Sequence, residues 1–120
     1  MARVLLVDDD VDALEIRKRI FEHSGHHVVA APGAVCAREK FHADHPDTVI
    51  LDLRLPRVED GLALIREFRA ESPEVNIVVL AGWCADLEGR GETALVDLIL
   101  SKPVRSEVLL GAIRPTHASH

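Results

Sequence analysis

The sequence predicts a three-layer α/β/α sandwich built around a five-stranded parallel sheet, and three observations predict it. Five short apolar runs recur at near-regular intervals along the chain. Most are continuous rather than alternating, which is how strands buried on both faces read. Longer amphipathic stretches separate them, and strict β-α alternation implies helices on both faces joined by right-handed crossovers.

The elements follow in chain order. "VLLV" at 4–7 is the first strand. "VDALEIRKRIFEHSG" reads as the first helix, with Leu14, Ile20 and Phe21 on a broad apolar side and Gly25 where a C-terminal cap belongs. Asp10 or Asp12 caps its start, the latter with Glu15 three residues on. "HVVAA" at 27–31 is the second strand, followed by the helix "GAVCAREKFHAD", with Pro46 as a stop. "TVIL" at 48–51 and "NIVVLA" at 76–81 are strands three and four, and "GLALIREFRAES" between them is a helix stopped by Pro73. Residues 82–95, "GWCADLEGRGETAL", hold glycines and no clean apolar stripe, so they predict a short, irregular or mobile fourth helix. "VDLIL" at 96–100 is the fifth strand, and "RSEVLLGAIR" is the last helix, ended by Pro115. No linker or composition shift marks a boundary, so residues 1–120 read as one domain with a core of about 3–114 and a frayed polar tail, "PTHASH".

Composition narrows the function classes. The 120 residues are 48% hydrophobic and 28% charged, an ordinary globular balance. A formal net charge of −6 argues against non-specific nucleic-acid binding, and the few aromatic residues leave little for base stacking. Met1-Ala2-Arg3 leads into only four apolar residues, unlike a signal peptide, and no apolar run approaches the ~20 residues of a membrane span. Cys36 and Cys84 read as reduced thiols, and the expected location is cytoplasmic. His23, His26 and His27 read as a solvated turn rather than a zinc site, and His42 and His45 as helix-end charges.

In such a sheet, sites lie at the carboxyl ends of the strands. Strand one delivers Asp8, Asp9 and Asp10 there, strand three Asp52, strand four Ala81 and Gly82, and strand five Ser101, Lys102 and Pro103. Several carboxylates close together repel, and a hard divalent cation with oxygen ligands removes the conflict. A neighbouring lysine suits a phosphoryl oxygen, and a carboxylate beside a metal can act as a nucleophile toward phosphorus.

"VLLVDDD", "VILDLRLP" and "LSKP" together resemble the receiver domain of bacterial two-component response regulators, over roughly residues 3–114. The resemblance implies a flavodoxin-like (βα)5 fold with strand order 2-1-3-4-5. It implies Asp52 as phosphoacceptor, supplied by a histidine kinase or phosphotransfer protein, and Lys102 as the phosphoryl contact. Asp8 and Asp9 match the acidic pair that holds Mg²⁺ (or Mn²⁺), with Asp52 and the main-chain carbonyl of Arg54 completing the site. Pro103 would follow Lys102 through a cis peptide. The face formed by helix four, strand five and helix five would pass the signal on.

The sequence also departs from the family's pattern. The Ser or Thr expected at the end of strand four is Ala81, which offers no hydroxyl. The switch aromatic of strand five is Ile99. "PRVEDG" holds an apparent one-residue insertion before Gly61, and Leu95 and Val96 replace a Gly-Ala pair. Arg54 and Trp83 flank the acceptor pocket by analogy, at positions that in the family tend to set how fast water removes the phosphoryl group.

Three functions compete on this reading. The first is a phosphoacceptor signalling module rather than an enzyme. The second is an atypical receiver serving as a protein-interaction scaffold, favoured by Ala81 and Ile99 and opposed by the intact Asp8, Asp9, Asp52 and Lys102. The third is an aspartate-nucleophile phosphatase, disfavoured because Arg54 stands where a proton-donating acid belongs.

Overall fold

A computed structural model describes residues 2–82, 87 and 89–113. Its elements run β1 (Arg3–Val7), α1 (Val11–His23), β2 (His27–Ala31), α2 (Ala34–Asp44), β3 (Thr48–Asp52), α3 (Val58–Glu71), β4 (Asn76–Ala81), a 3-10 helix (Gly91–Leu95), β5 (Leu98–Ser101) and α4 (Ser106–Ala112). The five strands form one sheet in the order β2-β1-β3-β4-β5, with every pairing parallel. The expected fold class and strand order therefore stand.

The sheet separates two apolar cores. On one side α2 and α3 pack Phe41, Leu62, Leu64, Ile65 and Phe68 against Leu5, Val49, Leu51, Ile77 and Val79. The rings of Phe41 and Phe68 stack there with centroids 4.0 Å apart. On the other side α1 and α4 bring Leu14, Phe21 and Leu109 onto Val4, Leu6, Ile50, Val78 and Leu80. Alternate residues of β1, β3 and β4 feed opposite cores, so these strands have no polar face.

Local chemistry sets the boundaries. Asp10, not Asp12, caps α1, its carboxylate accepting from the amides of Asp12 at 3.1 Å and Ala13 at 3.2 Å. Gly25, at φ +96°, turns the chain into β2. Helix α3 starts three residues before the run read from sequence, at Val58, where Asp60 accepts the Arg57 amide at 3.1 Å.

The short, irregular fourth helix expected over 82–95 is met by a five-residue 3-10 helix at Gly91–Leu95, so the described residues hold four α-helices. Of the described residues in that span, Leu87 is buried in the α2–α3 core and Leu95 packs against it. Two boundaries need correction. The fifth strand begins at Leu98, not Val96; the exposed Asp97 before it accepts the Ile77 amide on its carboxylate at 2.8 Å. That strand is one edge of the sheet, as β2 is the other, and unlike the other four strands it has no fully buried residue. The final helix ends at Ala112. The expected tail at 115–120 lies outside the described residues.

Candidate functional site

The carboxyl ends of β1, β3 and β5 meet at one edge of the sheet. Val7 of β1 pairs with Leu51 of β3, so Asp8 and Asp52, one residue further along each, stand side by side. The Asp8 amide is tied to the Ala31 carbonyl at 3.2 Å, and the Lys102 amide to the Ala81 carbonyl at 3.0 Å. Strand pairing, not loop conformation, therefore sets where these side chains begin.

Asp8 and Asp52 are buried, at 4% and 6% exposure, while Asp9 and Asp10 are exposed at the rim. Buried carboxylates demand partners, and every oxygen of the two has a donor. Asp52 Oδ2 takes Lys102 Nζ at 2.5 Å, and its Oδ1 takes the Arg54 amide at 3.2 Å. Asp8 Oδ1 takes the Asp10 amide at 2.9 Å, and its Oδ2 takes Arg17 Nη1 at 3.1 Å. Burial pushes the Asp52 carboxyl above the ordinary carboxylate range. The Lys102 ammonium and the Arg54 amide offset part of this, and the charge of Asp8 adds to it.

These residues line an open cleft of about 580 Å³ that also touches Ala13, Pro103 and Val104. The Lys102–Pro103 peptide is cis, as is Leu55–Pro56. Arg54 presents an exposed side chain beside the cleft. Ala81 is buried at the end of β4, and Ile99 is half-buried in β5 against the α2–α3 core. No side-chain hydroxyl is available at Ala81. Trp83 lies outside the described residues.

Among the described residues, no three His, Cys, Asp or Glu side chains stand together as a metal-binding group. Mg²⁺ does not require one. It takes one or two carboxylates and completes its shell with waters and phosphate oxygens. Two buried carboxylates in an open cleft, with Asp9 at the rim, fit that demand.

The described histidines form no metal-binding group. The Ala2 amide donates to His26 Nδ1 at 3.1 Å, His27 Nε2 lies 3.3 Å from Asp44 Oδ1, and His42 Nδ1 lies 3.1 Å from Glu71. Cys36 is a half-buried free thiol, and Cys84 lies outside the described residues.

Arg17 is the site residue that sequence reasoning missed. The signal was present: Arg17 lies three residues after Leu14 and four before Phe21, both buried, so it sits on the inward stripe of α1. A cation on that stripe needs a buried anion, and Asp8 is that anion.

Residues 4–114 match the model of the response regulator receiver domain. The chain is 35% identical over 113 residues to the response regulator MprA of Mycobacterium ulcerans, covering 93% of this chain and 48% of that protein. It is 36% identical to the MprA of Mycobacterium leprae, covering 93% and 49%. It thus spans about half the length of the curated relatives it matches. A response regulator receiver domain protein from Clostridium thermocellum superposes with a TM-score of 0.83 at 25% identity, over 93% of this chain and 90% of that one. No helix among the described residues is long and apolar enough to cross a membrane.

Proposed function

The chain belongs to the response regulator receiver domain family, and from that premise we propose that it is a phosphoacceptor module of a two-component phosphorelay. Asp52 takes the phosphoryl group from a histidine kinase or a histidine phosphotransfer protein. One observation carries the reading: a buried carboxylate at the end of a central strand, 2.5 Å from a lysine and beside a second buried carboxylate, in an open cleft.

Each side chain has a part in the transfer. An Asp52 oxygen attacks phosphorus as the phosphorus–nitrogen bond to the donor histidine breaks, leaving an acyl phosphate on Asp52 and the electron pair on the imidazole. Lys102 leaves the carboxylate oxygen and follows the negative charge onto the phosphoryl oxygens. Asp8, Asp9, Asp52 and the Arg54 carbonyl would hold Mg²⁺ (or Mn²⁺), which when bound neutralises phosphoryl charge. The chain turns over no external substrate, and its chemistry is the gain and loss of one phosphoryl group.

The output side is altered. Without a hydroxyl at Ala81 or an aromatic ring at Ile99, the phosphoryl group has neither of those handles on β4 and β5. A downstream protein would read the face made by the 3-10 helix, β5 and α4. Its net charge of −6 makes this domain a poor nucleic-acid binder.

Intact-mass spectrometry after incubation with Mg²⁺ and acetyl phosphate tests the reading, with Asp52→Asn alongside. A single acid-stable, base-labile phosphoryl adduct on the wild type alone is the expected result. No adduct despite measured Mg²⁺ binding would turn the assignment toward a phosphate-independent scaffold.

A further inference from the structure

We propose that Arg17 is a resident counter-cation of Asp8 that opposes the divalent cation, so that loading the pocket requires displacing its guanidinium from Asp8 Oδ2. The inference rests on the reading of the acidic cleft as a cation site. Three observations carry it. Arg17 Nη1 lies 3.1 Å from Asp8 Oδ2, and the two side chains are only 19% and 6% exposed. The contact is built by the helix rather than reached by chance. Side chains of α1 lean toward its N-terminus, and Ala13, one turn back on the same face, leaves room for Arg17 to lie over it into the cleft. Finally, the two buried carboxylates are already matched by two cations, Arg17 on Asp8 and Lys102 on Asp52.

Those pairings decide how a divalent ion enters. Asp8 also accepts the Asp10 amide, and Asp52 the Arg54 amide; both are backbone bonds that fix the carboxylates in place. The mobile partners are therefore the two long cations. Lys102 has a new partner once a phosphoryl group arrives. Arg17 has none that the cation itself supplies. A guanidinium within a few ångströms of a doubly charged ion is repelled by it in a partly buried cleft, enough for about a tenfold loss of affinity. Arg17 thus sets the cation concentration at which the acceptor becomes competent. It is a positioning residue, acting through Asp8.

The test is calorimetric titration of the full chain with MgCl₂, comparing wild type, Arg17→Met and Arg17→Lys. Arg17→Met keeps the apolar stem and removes the charge, so it should bind Mg²⁺ about tenfold more tightly. Arg17→Lys restores a cation and should return the affinity toward that of the wild type. Equal or weaker binding by a folded Arg17→Met would overturn the proposal and leave the cation site standing. No Mg²⁺ binding by wild type or variant would overturn both. If Arg17→Met does not fold, the wild type decides by NMR. The Arg17 Nε–Hε resonance should shift along the Mg²⁺ titration, and a resonance that stays in place at saturation counts against displacement.

Discussion

At the scale of single residues, the charge of Asp52 is held against the fold's own preference. Burial raises its carboxyl above the ordinary value, so the folded chain binds that proton more tightly than the unfolded chain. The stability this contributes is present below the ordinary carboxylate pKa and is lost as pH rises through the raised value. Without divalent cation, Asp52→Asn should therefore gain on wild type as pH increases, in urea unfolding curves taken in EDTA between about pH 4 and about pH 8. A gap that stays constant would mean that Lys102 neutralises the carboxylate fully. Gly61 is a second residue-scale constraint. A Cβ there would lie 2.0 Å from the Leu53 carbonyl oxygen, a backbone atom next to Asp52. Gly61→Ala should cost about 2–3 kcal/mol or more in denaturant unfolding, because neither α3 nor the strand end can move aside cheaply.

At the scale of elements, one side chain of α3 ties the entry to β5 to the loop before β4. Arg69 donates from Nε to the Leu95 carbonyl at 2.9 Å, from Nη1 to the Val75 and Pro73 carbonyls at 2.8 Å, and from Nη2 to Asp97 at 2.8 Å. Its side chain is only 19% exposed, and the bonds to Leu95 and Val75 are partly buried. The same Asp97 oxygen takes the Ile77 amide. Arg69→Ala should cost about 2–3 kcal/mol. Hydrogen exchange should speed up over Leu95–Ser101 before it changes in β1 or β3, because the edge strand depends on this tie and the central strands do not.

For the whole molecule, the sheet carries two separate cores while the charged site sits at its carboxyl edge, outside both. Cation binding therefore adds to stability without repacking either core. At a Mg²⁺ concentration ten times Kd, the folded chain should gain about 1.4 kcal/mol. Thermal unfolding should show the gain, EDTA should reverse it, and Asp8→Ala should abolish it. A gain that survives Asp8→Ala would place the ion elsewhere.

Much of this molecule could be read from residue order because it is written in local patterns. Continuous apolar runs encode doubly buried strands. The positions of Asp8, Asp52 and Lys102 at the ends of three such runs encode their convergence, since parallel strands deliver their carboxyl ends to one edge. What the order of residues could not convey depends on contacts between elements distant in the chain. Asp97, just ahead of β5, accepts the Ile77 amide and pairs with Arg69 of α3. The described end of the fourth crossover is a 3-10 helix, Gly91–Leu95, whose Leu95 packs on the α2–α3 core. Arg17 looks from its neighbours like one more charge on a basic stretch, "RKR", and becomes the partner of Asp8 only when Leu14 and Phe21 turn that face of α1 onto the sheet. Periodicity can assign a residue to a face; burial against a particular partner is decided only when the layers close.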